Sequence, residues 1–96
     1  MIIETPYKAN DTVTLKTTAG DELVARFVEE DNFYVTVQKP LALMATPEGM
    51  GLAPFAFTIQ QDAKIKLNKS AVLFVHKTET EMAKQYVQST TGVQLA

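Results

Sequence analysis

His76 is the single histidine in a chain of 96 residues that holds no cysteine. Histidine-built metal clusters, thiolate zinc sites and cysteine nucleophiles are therefore absent from the inventory, and a serine nucleophile has no choice of base. His76 itself reads as a strand-end residue at the protein surface. Glu29, Glu30 and Asp31 set three carboxylates side by side, the raw material of a cation site or an acid–base pair. Neighbours on a strand or turn diverge, however, and no glycine-spaced Asp/Asn loop surrounds them, so they read as a solvated turn. Gly49 and Gly51 form a Gly-x-Gly, but no helix follows and no Lys or Ser/Thr is placed for phosphate. Nothing here assembles a catalytic set. The expectation is a protein without covalent chemistry or a cofactor.

Binding is better supplied. Lys64, Lys66 and Lys69 cluster late in the chain, with Lys64 and Lys66 on one face of a strand and Lys69 in the turn that follows. In one copy such lysines blunt a sheet edge; repeated around an assembly they converge into a cationic surface. Phe33 stands at the very start of a strand, directly after a polar turn. By position alone it reads as a core plug, whereas an aromatic beside lysines is also what single-stranded nucleic acid requires, at about 1–3 kcal/mol per stacked base.

The elements that must position these residues follow a period of two. Val13 and Leu15 alternate with Thr14 and Lys16, and Thr17 to Asp21 supply turn chemistry. Leu23, Ala25 and Phe27 share one face of a second strand. Asp31-Asn32 marks a hairpin tip, both residue types tolerating positive φ, and Phe33, Val35 and Val37 resume the alternation. Pro40 to Pro54, with Pro47, Gly49, Gly51 and exposed-looking Met44 and Met50, reads as a long, partly ordered loop. Phe55, Phe57, Ile59, Ala63, Ile65 and Leu67 predict a longer strand that bulges at Gln61. Asn68-Lys69-Ser70 turns into a last strand, Ala71 to His76, apolar on both faces and so expected to be sandwiched. At the end the period changes. Thr78 to Glu81 reads as a capping box, Met82, Ala83, Tyr86 and Val87 fall on one helical face, and Gly92 is the stop signal.

Five short strands and a C-terminal helix predict a mainly β protein, a small, strongly bent five-stranded antiparallel SH3-like barrel. At 96 residues one domain is expected. Its parts would be three strands over 12–39, the loop over 40–54, two strands over 55–76 and the helix over 78–90. The opening residues lack the basic segment and apolar run of a signal peptide, and no apolar run reaches the ~20 residues that span a bilayer. No membrane partner is expected, and the cytoplasm is the expected location. With 46% hydrophobic and 21% charged residues and a net charge of −2, the chain does not coat nucleic acid indiscriminately; a nucleic-acid site must be a local patch.

The run from Val13 to Val37, with Gly20 in the first turn, Asp31-Asn32-Phe33 in the second and a long strand between, resembles the first Sm motif. The Gly20–Asp31 spacing is most similar to the bacterial Hfq branch of the Sm/LSm family. Asn68-Lys69-Ser70-Ala71-Val72 resembles the second, shorter motif. The two cover rather less than half of the chain. This resemblance implies an Sm-like fold whose subunits close into cyclic homo-oligomers of five to seven by pairing edge strands. It implies single-stranded RNA or DNA as partner, with Asn32 and Phe33 as the polar and stacking residues of one turn. Lys69 would be the basic residue of the other, with Ser70 where the Hfq branch has a histidine. The sequence departs from the pattern where an Sm asparagine falls on Val35 and a glycine on Ala25. Its helix also follows the barrel instead of preceding it. The likeness is therefore to a divergent, phage-type or environmental member, which would place it in a host cytoplasm. The alternative expectation is a structural or protein-interaction module, such as a phage scaffold component, contacting protein through the Met44–Met50 loop.

Overall fold

The computed structural model describes residues 7–56 and 58–90. Within them the chain is mainly β: β1 (Thr12–Thr17), β2 (Glu22–Glu30), β3 (Tyr34–Thr46), β4 (Gly49–Pro54), β5 (Lys64–Asn68) and β6 (Val72–Lys77) form one antiparallel sheet. A 3-10 turn, Lys69–Ala71, joins β5 to β6, and α1 (Thr80–Thr90) follows. The strand order is β4-β3-β2-β1-β6, with β5 also on β3. The sheet is open. Six strands among the described residues replace the expected five, and these strands do not close into a barrel.

The alternation read from the sequence builds the core. Val13, Leu15, Leu23, Ala25, Phe27, Val35 and Val37 point to one side of the sheet and are buried together, with Tyr7 closing the end against Phe27. The two rings meet edge to face with centroids 4.7 Å apart. On the opposite face α1 packs against β1, and Val24, Thr36, Thr78 and Tyr86 are buried there, outside that core.

Two register shifts bend β2 and β3. Ala25 faces both Lys39 and Pro40, and further along Val28 is the extra residue on β2. Lys39 carries the first bulge with φ +53°, a left-handed conformation that costs a side-chain-bearing residue energy and persists only when its surroundings hold it. Tyr86 does so. Its hydroxyl donates to the carbonyls of Lys39 at 2.7 Å and Gln38 at 3.2 Å, and the Lys39 ammonium donates to the carbonyl of Thr90 at the end of α1. Burial pushes the Tyr86 hydroxyl up to about 12, so it remains a donor at neutral pH.

Four expectations are corrected. Residues 40–54 are not a loop: β3 runs on to Thr46 and pairs with β4 from Leu41↔Pro54 to Thr46↔Gly49. Each proline sits where no ladder donor is needed, Pro40 at the bulge, Pro47 in the turn and Pro54 at a strand end. Gly49 supplies the φ of +127° the turn demands. The long strand over 55–67 shrinks to Lys64–Asn68, because Gln60 and Ala63 close a turn by an Ala63 N–H to Gln60 carbonyl bond of 3.1 Å. Phe57 lies outside the described residues. The last strand is not sandwiched; β6 pairs only with β1 among the described residues, and Leu73 and Phe74 are 63% and 50% exposed.

The capping box also fails. Glu79 accepts from the amides of Glu81 at 2.6 Å and Met82 at 3.1 Å, while Thr78 is buried with its hydroxyl against that of Thr14. A carboxylate at the positive end of a helix competes well with a hydroxyl for that place. Gly92 lies outside the described residues. Among those described, no helix is long and apolar enough to cross a membrane.

Candidate functional site

The β2–β3 turn is organised by Asp31. Its carboxylate Oδ1 accepts from the amides of Phe33 at 2.7 Å and Tyr34 at 2.8 Å, and its own amide donates to the Tyr34 carbonyl at 2.9 Å. Asp31 and Asn32 need no positive φ here, contrary to the hairpin-tip reading, because the Asp31 side chain takes over the turn's hydrogen bonding. The second turn is built likewise: Asn68 accepts from the Ser70 amide at 2.9 Å. Strand pairing brings the turns together. Tyr34 lies opposite Asn68 and Thr36 opposite Lys66, and the Lys69 amide donates to the Phe33 carbonyl at 2.8 Å.

Thus Asn32, Phe33, Lys66, Lys69 and Ser70 gather at one end of the sheet, while Lys64 stands at the far end of β5, opposite Gln38. Four strand steps of about 3.3 Å each separate it from Asn68. Phe33 is 70% exposed, so it is not the core plug its position suggested. The Lys66 ammonium lies 5.3 Å from the centroid of the Tyr34 ring, a cation–π contact that holds both outward. Met44 and Met50, the expected protein-contact residues, are exposed on the β3–β4 hairpin.

Sequence reasoning missed Glu30 and Tyr7. Glu30 is no idle member of a solvated turn. Its Oε1 accepts from the Tyr7 hydroxyl at 2.7 Å, and its Oε2 lies 3.5 Å from the Lys69 ammonium. Burial, with the adjoining Glu30 carboxylate, pushes the Tyr7 hydroxyl up to about 12. The available signal was the place of Glu30 one residue before Asp31; nothing in the pattern announced Tyr7, which precedes the first strand.

The backbone amides of Phe33 and Tyr34, more than the nearby lysines, lower the Asp31 pKa from the ordinary aspartate value. Its ionised form therefore stabilises the turn above that ordinary value, and the contribution is lost as pH falls through the lower folded value. The Phe33 and Tyr34 amide resonances are expected to hold as pH passes about 3.9, an ordinary aspartate pKa, and to move only below it. Movement centred above that value would mean that the carboxylate does not hold the turn.

The site offers an exposed ring, side-chain amide and hydroxyl groups and two ammonium groups. That set can stack on planar groups and neutralise anions; it holds no nucleophile–base pair. Compared with family models and with curated proteins, the chain matches none.

Proposed function

We propose that this chain is an Sm-like module that binds single-stranded nucleic acid, RNA in the first place, at the joined turns, without covalent chemistry. The observation that carries the reading is the bond from the Lys69 amide to the Phe33 carbonyl. It fixes an exposed aromatic next to the basic turn, the pairing of stacking platform and phosphate neutraliser that single-strand binding uses. Phe33 stacks on a base, Asn32 meets base edges, and Lys69, Lys66 and, further along β5, Lys64 face phosphate.

The open sheet suits assembly. Among the described residues β6 leaves one edge unpaired and exposes Leu73, and β5 offers a second edge. Pairing these between copies would close a cyclic homo-oligomer, cover apolar surface and multiply a weak lysine patch into a continuous one. With a net charge of −2, that multiplication is what gives the assembly a cationic face.

The expected result is retention of a labelled single-stranded RNA in a fluorescence anisotropy titration, with affinity falling steeply between about 50 and 200 mM salt. No retention at the lower salt would refute the reading. In that case the exposure of Met44 and Met50, 51% and 58%, favours a protein-interaction module working through the β3–β4 hairpin.

A further inference from the structure

Beside the joined turns lies a shallow, open pocket of about 240 Å³, lined among others by Tyr7, Glu30, Val35, Lys69 and Phe74. That is below the roughly 300–1,000 Å³ of pockets for drug-sized ligands and suits a single ring system. Its apolar lining comes from Val35, which is buried, with Val72 and Val75. Its wall includes the half-exposed Phe74 ring, and its polar groups are the Tyr7 hydroxyl, the Glu30 carboxylate and the Lys69 ammonium.

We infer that this pocket takes a guanine base of the bound strand, with Glu30 as its acceptor and Lys69 as its donor. The inference rests on the nucleic-acid reading of the joined turns. An ionised carboxylate has about four lone-pair positions. Tyr7 and Lys69 engage one on each oxygen, which leaves one on each for a ligand. Of the common bases, guanine alone presents two adjacent donors, N1–H and the N2 amine, with the O6 acceptor next to them. A carboxylate flanked by an ammonium is the complement of that edge. Uracil places carbonyls on both sides of its one N–H and would meet Glu30 with repulsion, whereas cytosine and adenine bring one donor beside a bare ring nitrogen. The Tyr7 hydroxyl keeps its proton across neutral pH, so it continues to orient the carboxylate.

The test compares three short labelled RNA oligomers in the anisotropy titration. One is all uridine, one carries a single guanosine in the same frame, and one carries inosine there, which lacks the N2 amine. The unaltered protein is expected to bind the guanosine oligomer roughly tenfold more tightly than the uridine oligomer, the scale of one good bidentate contact. The inosine oligomer should fall between them. Glu30→Gln, which presents one acceptor and one donor, is expected to erase the order among the three oligomers. Equal binding of all three by the unaltered protein overturns the inference and leaves the nucleic-acid reading standing. Binding of none overturns both. The guanosine–inosine comparison needs no variant, so it decides the matter even where a Glu30→Gln protein fails to fold.

Discussion

Tyr86→Ala is expected to destabilise the protein by about 3–5 kcal/mol, the cost of truncating a buried aromatic, out of the roughly 5–15 kcal/mol that holds a domain folded. The ring is 2% exposed. Its loss removes the packing of α1 on the sheet and leaves the Gln38 and Lys39 carbonyls without their donor at the strained bulge. Tyr86→Phe keeps the ring and loses only the donations, so about 1 kcal/mol is expected. Urea denaturation of the three proteins, with the slope unchanged, reads both steps. A cost below about 1 kcal/mol for the alanine variant would mean that α1 rests on the sheet without supporting it.

The second large effect concerns binding. Phe33→Ala removes a side chain with little packing to lose, being 70% exposed, so the fold is expected to keep its stability. One stacked base at about 1–3 kcal/mol makes the expected loss of RNA affinity roughly 5- to 150-fold for each engaged subunit. Lys69→Ala acts differently. It removes the proposed phosphate partner, so the logarithmic salt slope is expected to fall by about one unit. It also frees Glu30, whose unpaired charge then repels the nearby strand. The two changes act on separable terms, stacking and counterion release, and the double variant should show both.

Much of the sheet was legible because burial on one face writes itself as alternation. Val13, Leu15, Leu23, Ala25, Phe27, Val35 and Val37 fall on the core side as their parity required. The β3–β4 hairpin was not legible, since proline and glycine counts do not say whether each sits at a bulge, a turn or a strand end. The strand over 55–63 was misread for the converse reason: alternation there continues across a turn closed by the Ala63 amide on the Gln60 carbonyl and by the Gln38 side chain on the Asp62 carbonyl. β6 looked sandwiched because its composition is apolar on both faces. An exposed edge strand can carry the same composition as a sandwiched one.

At the site, the turns were legible from Asp31-Asn32-Phe33 and Asn68-Lys69-Ser70, whose side chains make the local bonds their types favour. Glu30 was not, because its partners lie 23 and 39 residues away and only tertiary folding unites them. The same applies to the bond from Tyr86 to Lys39, 47 residues apart, which ties a helix beyond the last strand to the bulge of β3.

The proposed nucleic-acid site stands or falls with the joined turns. The direct measurement is a side-by-side anisotropy titration of the unaltered protein and the Phe33→Ala, Lys69→Ala double variant with one labelled single-stranded RNA, at two salt concentrations. The expected result is a large loss of affinity and a shallower salt dependence in the double variant at unchanged thermal stability. Undiminished binding by the double variant would contradict that placement and put the site elsewhere.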